Sequence, residues 1–369
     1  MSADQTRSTE SLTIGIDARA ATEVGAGRGR VVRELLRALS ARSDDHRFVC
    51  YARAAWEEPL DERFRWRLNR TPDPLWHVRT ADAAGRECDV LLSTNSYLTV
   101  LLTRAPAVAI VYDLAVFDHQ TLPNRRAQII EHLTLGAAVH RSRGLVCISQ
   151  ATAGELLARY PAAAPKVTVA PLAAAPILAR PLGDELTELP DPGYVLAVGT
   201  LEPRKNLPRL VEAYASLPRD LQDAHPLVVV GALGWRTGDT VAALDSLGDR
   251  CRRLGHVSDA ALAELYRRCA VFCYPSLAEG FGLPVLEAMA TGAAVVTSDT
   301  SSLPEVGGDA VQYVDPRSVT SIAGGLATLL SSPEQRAQLA DRGRARAAGF
   351  SWDRTAQLTL DALVRAARR

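Results

Sequence analysis

"YVLAVGTLEPRKNLPRLVEAYASL", residues 194–217, holds a strand, a loop and a helix in succession. The run from Tyr194 to Val198 is unbroken and apolar, the composition of a strand buried on both faces. Gly199 ends it, a polar loop follows, and Asn206 stands where a helix N-cap belongs. Leu207, Leu210, Val211, Tyr214 and Leu217 then recur at the spacing of one helix face. A strand that leads into a helix cannot turn back as a hairpin, so its repetition builds parallel sheets with helices on both faces.

The unit does repeat. "LTIGI", "RFVCYA", "DVLLS", "AVAIVY", "GLVCIS" and "VTVAP" precede Pro171, and "YVLAVG", "PLVVVG", "LGHV", "AVFCYPS", "AAVVTSD" and "VQYV" follow Pro192. Helical patterns lie between many of these runs, one of them opened by Thr152 and Glu155 as a capping box ahead of "LLARY". The stretch from Pro171 to Pro192 is rich in proline and alanine and carries no strand pattern, so it reads as a linker. The expected fold class is therefore α/β with two doubly wound, Rossmann-like domains facing across a cleft, residues 1–175 and 176–350. A chain of 369 residues suits two such domains.

Composition narrows the partners. The 42 basic residues balance 42 acidic ones, which argues against nucleic acid as a partner. Six cysteines are scattered without a CxxC pair, mostly inside apolar runs, as reduced buried thiols would be. The leader "MSADQTRSTES" lacks the apolar core of a signal peptide, and the apolar zone from Val90 to Phe117 is broken by Ser93, Asn95, Arg104 and Asp113. A soluble, cytoplasmic protein is expected. Residues 63–79, "RFRWRLNRTPDPLWHVR", alternate arginine with Phe64, Trp66 and Trp76 and read as a basic aromatic surface helix, either simply solvated or in weak contact with a membrane surface or an acceptor.

In doubly wound sheets ligands bind beyond the carboxyl ends of the strands, and three such loops carry chemistry. After "LTIGI", Gly25, Gly27 and Gly29 precede a helix and would let a ligand approach backbone, although turn geometry alone also explains them. The GK[ST] ending of a phosphate-hydrolysing loop is missing. After "YVLAVG", Arg204 and Lys205 adjoin a helix start, where the helix dipole disfavours cations unless an anion joins them. Lysine occurs only at 166 and 205, and a diphosphate would meet Arg204 as a fork and Lys205 as a point charge.

The third loop is "AEGFGLPVLEAMATG", residues 278–292. Gly280 and Gly282 free the backbone, Pro284 suits a first helical turn, and the amides near Phe281, Gly282 and Leu283 can face an anion. Glu279 and Glu287 flank this cradle. Carboxylates accept hydrogen bonds and repel phosphate, so the pair implies hydroxyl-bearing partners, a sugar on one side and a ribose on the other. A cap and a surface glutamate would explain each residue but not the glycines between them.

The E-x7-E spacing of Glu279 and Glu287, with "VGTLEPRKN", "LGHVSDAALAELY", "YPSLAEGFG" and "SSLPEV", resembles glycosyltransferase family 4, whose members have the GT-B fold. A weaker likeness in "GIDAR", "GRGRVVRELLRAL" and "CISQAT" extends it over nearly the whole chain. The resemblance implies a retaining hexosyltransferase that takes a nucleoside diphosphate sugar as donor and a hydroxyl acceptor, whether glycan, lipid-linked glycan or small molecule. Arg204 and Lys205 would meet the diphosphate, Glu279 the donor sugar and Glu287 the ribose, joined by the backbone of Phe281 and Gly282. Val257, beside His256, would border the base, and Gly27 and Gly29 would approach the phosphates from the other lobe. The helix within 351–369 would cross back onto the N-terminal domain. Many relatives carry His-Asp after the fourth N-terminal strand; this chain has Tyr112-Asp113, with His119 nearby, on the acceptor side.

No cofactor is expected, and no Asp-x-Asp is present to bring a metal to the diphosphate. Bacterial polysaccharide mannosyl or rhamnosyl transferases are the nearest association by resemblance, with natural-product tailoring as an alternative. A phosphorylase or epimerase of the same fold, and a nucleotide-sugar binding protein without turnover, are the competing readings.

Overall fold

The computed structural model describes residues 11–25, 27–114, 125–176, 189–235 and 237–368, with the side chains of residues 125–132 left aside. Thirteen strands form two sheets in which every pairing is parallel. The first holds β1 (Thr13–Asp17), β2 (Arg47–Ala52), β3 (Phe64–Leu68), β4 (Val90–Ser93), β5 (Ala107–Val111), β6 (Gly144–Cys147) and β7 (Val167–Val169). The second holds β8 (Val195–Val198), β9 (Leu227–Val230), β10 (Cys251–Gly255), β11 (Val271–Tyr274), β12 (Val295–Ser298) and β13 (Gln312–Val314). Their orders are β3-β2-β1-β4-β5-β6-β7 and β10-β9-β8-β11-β12-β13. Each order reverses beside its first strand, at β1/β4 and at β8/β11, and those reversals are where doubly wound sheets open a ligand crevice.

The central strands are buried because helices cover both faces, while the edge strands β3 and β10 are partly exposed. All residues of β5 and β9 are buried, as their unbroken apolar composition requires. In the helix Leu207–Ala215 the buried side chains are Leu207, Leu210, Val211, Ala213 and Tyr214. Burying each of the larger ones contributes about 2 kcal/mol, the term that holds a helix this short in place. The helix Trp352–Arg368 lies against β4, β5, β6, β7 and the helix Arg28–Ser40, although it follows the second sheet in sequence. Trp352 Nε1 donates to the Ala174 carbonyl at 3.1 Å and Arg365 Nη2 to Thr168 Oγ1 at 2.7 Å, anchoring its two ends.

Two local expectations need correction. Residues 63–79 do not form a surface helix: Phe64–Leu68 is the edge strand β3, and a separate helix runs Leu75–Glu87. Phe64 stacks on Phe48 at 4.3 Å, Arg65 and Arg67 each reach Glu87 at 2.8 Å, and Trp76 is fully buried beneath the Arg19 guanidinium. The strict alternation of aromatic and arginine is the period of a strand, whose Arg65 and Arg67 pair with Glu87 while staying exposed. The helix Gln150–Arg159 is capped one turn earlier than expected, by Ser149, whose Oγ accepts from the Thr152 amide at 2.9 Å. No helix among the described residues is long and apolar enough to cross a membrane.

Candidate active site

A cavity of about 400 Å3 lies between the lobes at the β8/β11 reversal, within the size range of small-ligand sites. Its C-terminal wall includes Arg204, Lys205, Glu279, Phe281, Gly282, Leu283 and Glu287, and its N-terminal wall includes Gly27, Tyr112 and Asp113. The structure thus brings together ten of the residues singled out from the sequence. Gly29 and Val257 are not among the lining residues. Gly29 is buried in the first turn of the helix Arg28–Ser40, where a Cβ would sit 1.7 Å from the Val24 carbonyl oxygen, so its smallness serves packing. Val257 packs against the apolar core. His119 lies outside the described residues.

Arg204 and Lys205 occupy a short 3-10 turn, Pro203–Lys205, tied to the β11 loop from several directions. The Leu277 amide donates to the Arg204 carbonyl at 2.9 Å, and Arg204 Nη1 donates to the Ala278 carbonyl at 2.9 Å. Asn206 stands at the N-cap position but does not cap. It adopts a left-handed conformation with φ of 62° and its Nδ2 donates to the carbonyls of Pro275 and Pro316 at 2.9 and 2.7 Å. The asparagine therefore staples the two cleft loops together.

The anion that the cation pair needs is already supplied by Glu279, which corrects the expectation that a ligand alone would provide it. Lys205 Nζ donates to Glu279 Oε1 at 2.7 Å and Arg204 Nη1 pairs with Oε2; Arg204 Nη2 also meets Glu202 at 2.7 Å. Tyr274 and Ser276 donate to Oε1 as well, at 2.7 and 2.6 Å. Burial alone would raise the pKa of Glu279, but Lys205 and Arg204 outweigh it and bring it down to about 2. Burial pulls Lys205 below its ordinary range while Glu279 opposes that shift. Oε1 is saturated by three donors, whereas Oε2 accepts from one guanidinium and retains capacity for a hydroxyl.

The backbone around Glu279 is clamped from both sides. Its amide donates to Ser301 Oγ at 3.0 Å and its carbonyl accepts from Ser302 Oγ at 2.9 Å. From the other lobe, Ser149 Oγ and Thr152 Oγ1 donate to the Gly280 carbonyl at 2.6 and 3.1 Å, and Glu305 accepts from the amides of Gln150 and Ala151 at 2.8 and 3.2 Å. The lobes approach so closely that a Cβ on Gly280 would lie 1.9 Å from the Tyr112 carbonyl oxygen. Gly282, with φ of 101°, starts the helix Leu283–Thr291; Pro284 carries no amide hydrogen and the Val285 and Leu286 amides donate to the Gly282 carbonyl at 3.0 and 3.2 Å, so the backbone that borders the cavity with amides to offer is that of Gly282 and Leu283.

Glu287 is buried one turn into that helix. It pairs with Arg30 Nη1 of the N-terminal lobe and accepts from the Tyr266 hydroxyl at 3.3 Å. Arg30 Nη2 pairs with Asp259 at the start of the helix Asp259–Arg268. Sequence reasoning missed Arg30, Tyr274, Ser301, Ser302 and Ser149. All five fall within motifs quoted above, Arg30 in "GRGRVVRELLRAL", Ser149 in "CISQAT", Tyr274 in "YPSLAEGFG" and Ser301 and Ser302 in "SSLPEV", but in an arginine-rich chain nothing sets Arg30 apart from its neighbours.

A second cavity of about 400 Å3 adjoins the first on the N-terminal lobe, lined by Ser93, Thr94, Asn95, Tyr97 and Thr134 and sharing Arg28, Tyr112 and Asp113. The Arg28 guanidinium stands 5.5 Å over the Tyr112 ring, and burial pushes the Tyr112 hydroxyl well above its ordinary pKa. Tyr112 is thus a neutral hydroxyl at the junction of the two cavities.

Residues 184–346 match the family model of Glycosyl transferases group 1. Over 279 residues the chain is 34% identical to the O-antigen chain mannosyltransferase B of Escherichia coli, spanning 73% of this chain and 72% of that protein. Its fold is similar to sucrose-phosphate synthase from Thermosynechococcus elongatus, with a TM-score of 0.75 at 21% identity over 95% of this chain and 97% of the other. It is similar also to Anabaena HepE, solved in complex with UDP and glucose, with a TM-score of 0.72 at 16% identity over 95% and 99% of the two chains.

Proposed function

The chain belongs to the group 1 glycosyl transferases and has the GT-B fold, and from that premise we propose that it transfers a mannosyl group from a nucleoside diphosphate sugar to a hydroxyl acceptor, with retention of the anomeric configuration and without a metal. The observation that carries this reading is the single cavity wall on which Arg204, Lys205, Glu279, Glu287 and a helix N-terminus converge, opposite a polar acceptor-side cavity. The choice of mannose follows the named activity of the Escherichia coli relative. The family 4 assignment rests on the E-x7-E motif.

Each group has a distinct task in this reading. Arg204, Lys205 and the backbone amides of Gly282 and Leu283 receive the diphosphate and stabilise the charge that grows on it as the glycosidic bond breaks. Those cations are held in place by Glu279 and Glu202 before any ligand arrives, so they need no reorganisation. Glu279 Oε2 accepts a sugar hydroxyl, Glu287 accepts the ribose hydroxyls, and the acceptor enters past Tyr112 and Asp113. The acceptor oxygen attacks from the face of the departing diphosphate, whose oxygen takes the proton.

Thermal shift against GDP, UDP, dTDP and ADP, followed by transfer assays with the mannose and glucose conjugates of whichever binds, tests the reading. Stabilisation by one diphosphate and turnover of its mannose conjugate support it. Stabilisation without any transfer or slow hydrolysis would mean a binding protein, and turnover dependent on inorganic phosphate would mean a phosphorylase.

A further inference from the structure

Two contacts from the N-terminal lobe land on the E-x7-E segment, one at each end. Ser149 and Thr152 hold the Gly280 carbonyl beside Glu279, and Arg30 pairs with Glu287. The second is a charge-bearing contact between side chains that are only 10% and 4% exposed, and it joins residues 257 positions apart.

We propose that Arg30 is a positioning residue of the donor site: its fork, crossing from the other lobe, fixes the Glu287 carboxylate toward the ribose diol, so that the two lobes read the nucleotide jointly. This rests on the ribose role proposed above for Glu287. Arg30 itself lines the cavity. Its Nη1 is spent on Glu287 and its Nη2 on Asp259, while its Nε is buried without a hydrogen-bond partner among the described residues. A buried donor with no acceptor is costly, and a ribose oxygen arriving at Glu287 would be within the same neighbourhood to satisfy it.

Charge supports the geometry. The groups that bear most strongly on Glu287 are Arg30, the Tyr266 hydroxyl and, as a like charge, Asp259. Burial raises the pKa of Glu287, and Arg30 is the first of the groups that hold it down. Without Arg30 the carboxyl would take up a proton at a higher pH, and a protonated carboxyl presents a donor in place of one acceptor oxygen and loses the charge that strengthens both hydrogen bonds to a diol.

The test is calorimetric titration of the full chain with GDP, UDP and ADP and their 2′-deoxy forms, between about pH 6 and pH 8.5, for wild type, Arg30→Met, Arg30→Lys and Glu287→Gln. The nucleotide that wild type binds tightest should lose about tenfold or more in affinity to Arg30→Met at the lower pH, a loss equivalent to one charge-assisted hydrogen bond. That loss should shrink as pH rises, and the preference for ribose over 2′-deoxyribose should collapse as it does in Glu287→Gln. Arg30→Lys, which keeps the charge without the fork, should fall between wild type and Arg30→Met, and it carries the test by itself if the methionine variant does not fold. Unchanged affinity in the Arg30 variants, or a loss independent of pH with the ribose preference intact, would overturn the proposal. Undiminished affinity and ribose preference in Glu287→Gln would overturn the ribose reading beneath it instead.

Discussion

Lys205 Nζ lies 2.7 Å from Glu279 Oε1 across the β8/β11 reversal, and this pair sets the electrostatics of the cleft. The cation is buried, so it acts in a medium where charge is poorly screened, and the carboxylate that holds it stays ionised. In the proposed function the pair would give the diphosphate a preformed partner and the sugar an acceptor atom from one cluster.

Lys205 and Glu287 should separate chemistry from binding. Charge on the diphosphate grows in the transition state, whereas the ribose hydroxyls hardly change. Lys205→Ala should lower kcat by about 10²-fold or more, by analogy with removal of a preorganised oxyanion donor. Glu287→Ala should chiefly raise the donor KM. Steady-state kinetics with varied donor distinguishes the two, and the opposite pattern would reverse the assignments.

Glu279 should contribute stability that depends on pH in a definite direction. Its folded pKa, about 2, lies below its ordinary value of 4.5, so its contribution is complete above about pH 4.5 and is lost as pH falls toward 2. Glu279→Gln should therefore be less stable than wild type near neutral pH, with the gap closing over that acidic window. Urea unfolding at several pH values measures it; a constant gap would mean that Glu279 is not held ionised by Lys205 and Arg204.

The sequence revealed the strand succession well, because a buried parallel strand has to be a short apolar run and eleven of the twelve runs coincide with strands; "LGHV" meets β10 only at Leu254 and Gly255, since that exposed edge strand begins at Cys251 and carries Arg252 and Arg253. It failed at β3, where an exposed edge strand alternates Phe64, Trp66 and Leu68 with Arg65 and Arg67, and residue type drew more notice than period. The cleft residues Arg204, Lys205, Glu279 and Glu287 were legible because glycines and a rare lysine mark their loops. Arg30, Ser149 and Tyr274 were not, since their meaning lies in contacts between elements up to 257 residues apart.

Gly280 should tolerate no side chain. A Cβ there would meet the Tyr112 carbonyl at 1.9 Å, forcing the lobes apart and loosening the bonds from Ser149 and Thr152. Gly280→Ala should reduce kcat/KM by about tenfold or more, as small misplacements of reacting groups do. The substituted position lies in a loop outside both sheets, so circular dichroism should be unchanged while small-angle scattering reports a more open shape. Wild-type activity in this variant would mean that the lobes need not approach so closely.

Metal should be dispensable. In the proposed reading Arg204 and Lys205, which line the cavity, meet the diphosphate in place of a divalent cation, so initial rates should be the same with and without excess EDTA. Loss of activity on chelation, restored by magnesium or manganese, would contradict this.

The most direct measurement is the anomeric configuration of the product. With an α-linked nucleoside diphosphate mannose as donor, NMR of the product through its one-bond carbon–hydrogen coupling at C1 should report an α linkage, and intact-protein mass spectrometry during turnover should show no sugar on Glu279. A β product would contradict retention, and a glycosyl adduct on Glu279 would contradict attack from the face of the departing diphosphate.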